Sequence, residues 1–544
     1  MPDNLLYYGD NLDVLRRHVP DEAVDLVYLD PPFNSKATYN VLFGERDGAR
    51  AASQVKAFED TWQWDDSGAR AFQDTVEAGG RPSQALQALW TLLGHSNMLA
   101  YLAMMTPRLG ELRRVLKPTG SIYLHCDPTA SHYLKIIMDA VFGAENFRNE
   151  IIWQRTLAKG LTSRQLPNNH DVLLYYQQSN AATWNMDAMF QPYDLANLDD
   201  KTARKYTHRD PDGRLYQLDN LTNPNPNRPN LTYEFLGVTK VWRWTRERME
   251  AAHQAGLVVQ PSPGAVPRFK RYLDEQRGKP LGDVWTDIPP INSQAAERLG
   301  YPTQKPLALA ERFILASSNP GDLVLDPFCG CGTTIVAAQE LDRRWIGIDI
   351  TNLAIALIKN RLRDTFGDSA AYKVIGEPVS VPDAQTLADQ DPYQFQWWAL
   401  GLVGARPVEQ KKGSDKGVDG WLYFHDEGEG SETKQVVLSV KAGHTNVAHL
   451  RDLRGVMERE RAEIGVLVTM QDPSQPMRAE AAGAGFYHSP GRNKNYPKLQ
   501  ILTIDDLLEG KTIDMPPLGQ VSTTFKKAPK AKDGTARQFP MDIP

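Results

Sequence analysis

The segment from Leu323 to Asp349 constrains the fold more than any other part of the chain. It contains two apolar stretches with a glycine-containing turn and a helix between them. The first stretch indicates a buried strand, Gly330 and Gly332 permit a tight turn, and residues 334–341 have a helical pattern. The second stretch ends at Asp349, about 20 residues after the turn, where a nucleoside cofactor needs an acid for its ribose hydroxyls. This unit predicts an α/β fold with a doubly wound sheet.

The turn also discriminates among nucleoside cofactors. It reads Asp-Pro-Phe-Cys-Gly-Cys-Gly over residues 326–332, which departs from the glycine pattern of dinucleotide-binding loops. No Lys-Ser or Lys-Thr pair follows it to hold a triphosphate. S-adenosylmethionine therefore suits this turn better than NAD or ATP.

A second motif, LDPPFNS, lies far upstream and has the groups needed to activate an exocyclic amine of a nucleobase, whose lone pair is delocalised into the ring. Asp30 can accept one N–H hydrogen bond and the Pro31 carbonyl the other, which draws the nitrogen toward a nucleophilic geometry. Pro32 helps to hold that carbonyl rigidly, and Phe33 offers a flat face to a base swung out of the duplex. The motif predicts a transfer that needs no side-chain nucleophile.

The order of the two motifs does not prevent them from forming one active site. In a doubly wound sheet, ligands bind beyond the carboxyl ends of the strands, where strands distant in sequence are neighbours. We therefore expect the loops at Asp30 and Asp326 to face each other, with the methyl donor and the flipped amine in line. His125 and Asp127 end another apolar segment at the same predicted edge, and either a structural or a catalytic role is open to them.

The two motifs and four further segments resemble the DNA amino-methyltransferases of the beta class, in which the catalytic loop precedes the cofactor loop. The further segments are YYGDNLDVL, RVLKPTGSIYLHCD, NNHDVLLYY and YPTQKPLALAERFILASSNPGD. The resemblance covers the part of the chain up to residue 375 and is greatest to the modification subunits of type III restriction systems. In that family, a leading Asp in the catalytic motif favours adenine N6 over cytosine N4, which stays open as an alternative.

The resemblance implies S-adenosylmethionine as cofactor and double-stranded DNA as substrate, with a restriction or defence partner subunit or a homodimer as further expectations. Enzymes with related motifs also methylate RNA bases and protein glutamine amides, so RNA and protein are the alternative substrates. Eight residues would hold the cofactor: Asp10 at its adenine, Phe328 and Gly330 at its methionine part, Thr303 and Lys305 at the neighbouring wall, and Asp326, Gly332 and Asp349 in the turn and the following strand.

Length and composition set the domain organisation and the compartment. A chain of 544 residues is long enough for about three domains. Its three cysteines lack disulfide or zinc spacing, and no secretory or membrane-spanning segment is apparent, so we expect a cytoplasmic protein. The expected parts are a methyltransferase catalytic part (1–154), a target-recognition region (155–300), a methyltransferase cofactor-binding part (301–378), a linker (379–390), a restriction-endonuclease-like domain (391–511) and a basic, disordered tail (512–544).

A net charge of −6 means that the positive charge needed for DNA must be concentrated locally. The segment KVWRWTRER interleaves basic residues with two tryptophans, a pattern that can bind phosphates and stack on bases. The alternative is an exposed helix face above two buried tryptophans. The expected DNA-binding residues are Lys240, Arg243, Arg246 and Arg248.

Residues 391–511 have helix and strand patterns that predict a small α/β core, and they resemble restriction-endonuclease-like nucleases of the Mrr type. Those nucleases hold Mg²⁺ with an acid on one strand and an acid-x-Lys set on the next. Asp419, the expected metal ligand, and Lys441 match this set, whereas Ser439 replaces the usual acid and Gln396 stands where a helical Glu often completes the site. Two functions stay open: an active nuclease, which would make the chain a bifunctional modification-restriction enzyme, and an inactivated core that binds DNA.

Overall fold

A computed structural model of the chain describes residues 4–32, 39–41, 55–58, 64, 66–157, 166–292, 295–299, 301, 303–407, 417–426, 433–516 and 529. The chain divides into two compact units, one formed by Met1–Asn185 with Asp283–Pro544 and the other by Met186–Gly282. Within the described ranges, no helix is both long and apolar enough to cross a bilayer.

A nine-stranded sheet forms the centre of the larger unit. In chain order its strands are β1 (Asn4–Tyr8), β2 (Val24–Leu29), β3 (Leu116–Cys126), β4 (Phe147–Gln154), β5 (His170–Gln177), β6 (Val284–Trp285), β7 (Leu323–Asp326), β8 (Arg344–Asp349) and β9 (Tyr372–Ile375). Their spatial order is β6-β4-β5-β3-β2-β7-β8-β1-β9. All neighbours run parallel except β5, which is antiparallel to both β3 and β4.

Helices cover both faces of this sheet, because its central strands are apolar on both sides. All six residues of β2 are buried, and Val27 and Leu29 belong to one apolar core whereas Leu26 and Tyr28 belong to the other. The predicted doubly wound α/β fold is thereby confirmed. The helices of this part are α1 (Asn11–His18), α2 (Asp66–Ala78), α3 (Gly80–Leu93), α4 (Asn97–Val115), α5 (Pro128–Phe142), α6 (Leu307–Ser317), α7 (Thr333–Glu340) and α8 (Asn352–Phe366). A separate hairpin joins Tyr39–Val41 to Val55–Phe58.

Strands β2 and β7 are neighbours in space although they lie far apart in sequence. Leu26 pairs with Val324 and Val27 with Leu325 in parallel register. Parallel neighbours end at the same edge of a sheet, so the catalytic and cofactor motifs leave the sheet side by side, as expected from the sequence.

The second unit contains fewer residues than the target-recognition region 155–300 expected from the sequence. Strands β5 and β6 fall inside that interval, yet they pair within the main sheet, so the compact unit is limited to Met186–Gly282. Apolar β5 is buried along most of its length, which the irregular composition of the surrounding interval obscured. Trp242, with no exposed surface, lies in the apolar core of the second unit.

Short strands and helices make up this second unit. A four-stranded sheet contains Val258–Val259, Arg268–Tyr272, Leu215–Asn220 and His208–Arg209, in that spatial order. Thr232–Phe235 and Val238–Val241 form a hairpin, and Phe190–Gln191 pairs with Lys279–Pro280. The helices are Asp200–Lys205 and Arg246–Gln254.

The carboxy-terminal part has the small α/β core predicted for it. Its five-stranded sheet has the order β10 (Arg406–Pro407), β11 (Gly420–His425), β12 (Thr433–Lys441), β13 (Ile464–Thr469) and β14 (Leu499–Thr503). The first three strands are antiparallel neighbours and the last three are parallel neighbours. The helices are α9 (Val381–Gln390), α10 (Pro392–Leu402), α11 (Val447–Glu460), α12 (Gln475–Gly483) and α13 (Ile504–Leu508), and Phe486–Ser489 pairs with Lys494–Pro497.

Two boundaries of this part differ from the sequence expectation. The expected linker 379–390 is mostly helix α9, whose Ala384 and Leu387 are buried in the carboxy-terminal core, so its few apolar residues share one face. The start of the expected disordered tail also packs there, because Ile513 is buried in the same core. The rest of that tail, apart from residue 529, lies outside the described residues.

Candidate active site

A cavity of about 380 Å³ opens beyond the carboxyl ends of β2 and β7. Asp30, Pro31 and Pro32 of the catalytic motif line it, and so do residues of the cofactor turn. The fold thus joins the two motifs in one site. Phe33, the last residue of the expected catalytic set, lies outside the described residues.

Most of the residues expected to hold the cofactor line this cavity; they are Asp10, Thr303, Lys305, Asp326, Phe328, Gly330 and Asp349. Gly332 has a different position, immediately before α7, with a φ angle of +74°. A Cβ atom at this position would lie 2.9 Å from Cγ1 of Ile358 on α8. Glycine is required at position 332 because the turn is left-handed there and passes close to a neighbouring helix.

Asp349 fastens the turn to the end of β8. One carboxylate oxygen accepts the N–H of Gly330 at 3.0 Å, and the other accepts the N–H and the hydroxyl of Thr351 at 2.9 and 2.8 Å. Burial raises the pKa of Asp349 above its ordinary value, although these hydrogen bonds oppose the shift. The carboxylate is therefore held in a fixed orientation at the cavity wall.

Asp326 is the second buried carboxyl group of the turn. Burial raises its pKa to about 7, and the neighbouring carboxylates of Asp30 and Asp349 contribute to the same shift, whereas the Thr334 hydroxyl and the Phe328 N–H lower it. The Phe328 N–H donates to Asp326 Oδ1 at 3.1 Å. Asp326 therefore shapes the turn by bonding to its backbone and carries a charge that depends on pH.

Lys305 contacts the catalytic motif directly. Its ammonium group donates to Asp30 Oδ2 at 2.5 Å, and the two side chains are only 12% and 18% exposed. The Thr333 hydroxyl donates to the Lys305 carbonyl at 3.3 Å, which ties this lysine to the start of α7. The sequence predicted Lys305 at the cofactor wall, and the structure adds a close ion pair with the expected catalytic acid.

Arg108 is a cavity residue that the sequence reasoning missed. It projects from α4, and its guanidinium donates to Asp10 Oδ2 at 2.6 Å, to Asn11 Oδ1 at 2.6 Å and to the Met104 carbonyl at 2.8 Å. Asn11 in turn donates to the Pro327 carbonyl at 2.8 Å. This network holds Asp10 beside the cofactor turn. The only signal in the sequence was a charged residue among the apolar positions of a helix.

A fully buried polar network lies behind the cavity wall. The Tyr28 hydroxyl is 2.9 Å from His125 Nδ1, and His125 Nε2 is 3.2 Å from Asp171 Oδ2. Burial alone would raise the pKa of Asp171, but the His125 hydrogen bond and nearby cationic groups lower it below the ordinary value. Of the two residues left ambiguous by the sequence, His125 is therefore part of this network. Asp127 caps α5 by accepting the N–H of Ala130 at 2.9 Å.

The four basic residues expected to bind DNA are exposed on the second unit. The Arg246 guanidinium lies 5.0 Å from the centre of the Tyr233 ring, and that of Arg248 lies 4.5 Å from the Trp244 ring. The Arg243 side chain donates to the Thr222 carbonyl, and Lys240 lies on the hairpin. Of the two tryptophans, Trp242 is buried and Trp244 is partly exposed.

The four residues singled out in the carboxy-terminal part also come together. Asp419 Oδ1 accepts from Gln396 at 3.0 Å, while Oδ2 accepts from the Ser439 hydroxyl at 3.1 Å and from the Val440 N–H at 2.7 Å. Lys441 Nζ lies 3.6 Å from the same Oδ2. Both carboxylate oxygens are thus occupied by protein donors. Throughout the described part of the chain, no group of three or more His, Cys, Asp or Glu side chains is arranged to hold a metal ion.

Comparison with known proteins defines the class of the larger part. The model of the N6/N4 methyltransferase family of DNA methylases matches residues 24–360. The chain therefore belongs to the family of DNA methylases, and the membership expected from its motifs is confirmed.

Curated relatives agree with this membership. The type II methyltransferase M.EcaI of Enterobacter cloacae is 27% identical over 365 residues, which cover 66% of this chain and 69% of that protein. The Mod subunit of the type III restriction-modification enzyme StyLTI of Salmonella typhimurium is 25% identical over 389 residues, covering 69% of this chain and 55% of the subunit. The DNA adenine methyltransferase YhdJ of Escherichia coli is 49% identical over 81 residues, covering 15% of this chain and 27% of that protein.

A second family model covers the carboxy-terminal part. It describes the NACHT-associated inactive restriction endonuclease 1 family and matches residues 394–509. The restriction-endonuclease-like resemblance is confirmed, and the alternative of an active Mg²⁺-dependent nuclease is not favoured. The replacement of two expected acids by Gln396 and Ser439 gives a physical reason, because a hard divalent ion requires several oxygen ligands.

Proposed function

We propose that this chain transfers a methyl group from S-adenosylmethionine to the exocyclic N6 amine of adenine at a specific site in double-stranded DNA. The observation that carries the proposal is that Asp30, Pro31 and Pro32 line the same cavity as the cofactor turn. A leading Asp in the catalytic motif supports adenine over cytosine N4.

The residues around the cavity fit this cofactor. Asp349 can accept hydrogen bonds from ribose hydroxyls, and the left-handed turn at Gly332 lets the cofactor loop pass close to α8. The Asp10 carboxylate, which Arg108 holds in place, can accept an N–H of the cofactor's adenine. Phe328 adds an apolar wall. When bound, S-adenosylmethionine supplies an electrophilic methyl carbon.

The catalytic motif would act on the amine. Asp30 accepts one N–H of the flipped base and the Pro31 carbonyl accepts the other, so the nitrogen lone pair is directed at the methyl carbon. As the N–C bond formed and the bond from the methyl carbon to the sulfonium sulfur broke, positive charge would develop on nitrogen. The Asp30 carboxylate would stabilise that charge and take up the proton that the amine then loses. Because Lys305 occupies Asp30 Oδ2, the amine must take the remaining acceptor positions of Asp30 or displace the ammonium group.

DNA binding is assigned to the second unit. Lys240, Arg243, Arg246 and Arg248 are exposed, and two of them lie over aromatic rings that hold the guanidinium groups in place. Such groups can neutralise phosphates without reading sequence. The proposal also includes a cytoplasmic location, a restriction or defence partner subunit and assembly as a homodimer. Sedimentation of the purified protein, alone and with co-expressed neighbours of its gene, tests the last two.

The test is single-molecule sequencing of DNA from a methylation-free host that expresses the wild type or Asp30→Ala. We expect N6-methyladenine at one short motif with the wild type and none with Asp30→Ala. Asp13→Ala, which changes an exposed aspartate of α1, is the matched control and should methylate normally. N4-methylcytosine would replace the adenine assignment. Soluble wild-type protein that marks no DNA would overturn the proposed function and direct the search to RNA or protein amides.

A further inference from the structure

A helix of the restriction-endonuclease-like part packs directly against the methyltransferase part. Helix α10 lies on α8. The two helices meet at Gly401 and Ala356, where a Cβ atom on residue 401 would make an ordinary contact of 3.5 Å with the Cβ atom of Ala356. Helix α8 begins three residues after Asp349, so this contact lies behind the cofactor site.

Gln394 makes the polar contacts of this interface. Its side-chain oxygen accepts the N–H of Asn352 at 3.1 Å, and its backbone carbonyl accepts the Asn352 side-chain amide at 3.2 Å. Asn352 is only 1% exposed. The first N–H groups of a helix have no partner within the helix, so Gln394 satisfies a buried donor that would otherwise lack one.

The turn that Gln394 supports leads directly to the cofactor acid. Thr351 precedes Asn352, and it donates both its N–H and its hydroxyl to Asp349. Asp349 in turn accepts the N–H of Gly330 in the cofactor turn. Asp349, Ile350 and Thr351 all line the cavity. A shift at Asn352 would therefore move the carboxylate that faces the cofactor.

The same junction reaches the other end of the cofactor site. Tyr8 packs against the apolar core of the carboxy-terminal part, and Gly9 next to it donates its N–H to the Asp349 carbonyl at 2.9 Å. Burial raises the pKa of Tyr8 to about 12, and the Asp391 carboxylate at the start of α10 contributes to the shift. Asp10 follows directly, so α10 borders both segments that flank the cavity.

We propose that Gln394 is a positioning residue for the cofactor site. Through its hydrogen bonds to Asn352, the restriction-endonuclease-like part holds the turn from Asp349 to Asn352 in the geometry that binds S-adenosylmethionine. This part of the chain, whose expected metal site lacks two acids, thus supports a turn of the methyltransferase part that lines the cavity. The inference rests on the proposed function only in its choice of ligand.

The test compares full-length Gln394→Met with the wild type by calorimetric titration of S-adenosylmethionine. Methionine keeps the length of the side chain but removes its hydrogen-bond acceptor. We expect the dissociation constant and the KM for S-adenosylmethionine to rise about three- to tenfold, with kcat and the KM for DNA within about twofold of the wild type. Gln394→Glu retains an acceptor oxygen and should restore most of the affinity.

Gln385→Met is the matched control, since Gln385 is an exposed helix residue that donates to Asp389 of the same helix. It should leave the affinity unchanged. If Gln394→Met is insoluble, Gln394→Asn can replace it. Its side chain is one methylene shorter, which moves the acceptor oxygen away from Asn352, and its affinity for S-adenosylmethionine is compared in the same way. Unchanged cofactor affinity in a folded Gln394 variant would overturn the positioning role alone. A wild type that binds no S-adenosylmethionine would instead overturn the proposed function.

Discussion

Lys305 and Asp30 form a close ion pair at the active site, although 275 positions separate them in the chain. The pair sits beside two other carboxyl groups, Asp326 and Asp349, whose pKa values are raised chiefly by burial. We infer that Lys305 holds the Asp30 carboxylate in the orientation that accepts the amine.

Replacement of this lysine should lower the rate of methyl transfer. Lys305→Met removes the charge and keeps the side-chain length, so the Asp30 carboxylate loses the partner that holds it in place. We expect kcat to fall about 10- to 100-fold. Lys359→Met, which breaks the peripheral pair with Glu377, is the control. An unaltered kcat in a folded Lys305→Met variant would contradict this role.

Asp326 should make stability depend on pH. Burial raises its pKa from 3.8 to about 7, so its contribution to stability is full below the unfolded value and is lost as the pH rises through about 7. Asp326→Asn cannot ionise, so its stability does not fall with pH for this reason. The melting temperature of the wild type minus that of Asp326→Asn should therefore decrease as the pH is raised from 4 to 8. A constant difference between the two proteins would contradict the assignment.

Truncation of His125 should destabilise the protein strongly. His125→Ala would leave the Tyr28 hydroxyl and the Asp171 carboxylate without their partner in the buried network. Each group then bears a desolvation cost, and we expect the free energy of unfolding to fall by about 2–4 kcal/mol. His132→Ala, on the adjacent helix α5, serves as a surface control. Differential scanning fluorimetry should show a corresponding fall in the melting temperature. An unaltered melting temperature would show that the network contributes little to stability.

A single basic residue of the second unit should affect DNA affinity in a salt-dependent manner. Lys240→Gln removes one exposed charge, so binding should weaken to all sequences alike. The slope of log affinity against log salt should become less steep by about one. Lys205→Gln, an exposed lysine on another element of the same unit, is the comparison. Fluorescence anisotropy with a labelled duplex gives both slopes, and equal slopes for Lys240→Gln and the wild type would remove Lys240 from the DNA contact surface.

The carboxy-terminal part should not cut DNA. With Mg²⁺ present, unmethylated plasmid carrying the mapped site should remain supercoiled in the presence of wild-type protein, because both oxygens of Asp419 are engaged by protein donors. If this part binds DNA, Lys441→Ala should weaken binding and still leave the plasmid intact. Mg²⁺-dependent cleavage by the wild type that disappears in Lys441→Ala would contradict both expectations.

Local sequence patterns were sufficient for the class of fold and for most of the expected residues that line the cavity. A run of apolar residues predicts a buried strand without knowledge of the rest of the fold. The residue types in the turn 326–332 and at Asp30 indicate their chemical roles by themselves. The pairing of β2 with β7 was also predictable, because doubly wound sheets bring ligand-binding loops to one edge.

Contacts between distant segments had no local signature, and only the folded chain reveals them. Arg108 and Gln394 carry no motif, yet one orients Asp10 and the other supports Asn352. The assignment of β5 to the main sheet likewise depends on hydrogen bonds with β3 and β4. The physical reason is the same in each case: a side chain or strand acquires its partner through packing, and packing depends on the whole tertiary structure rather than on neighbours in sequence.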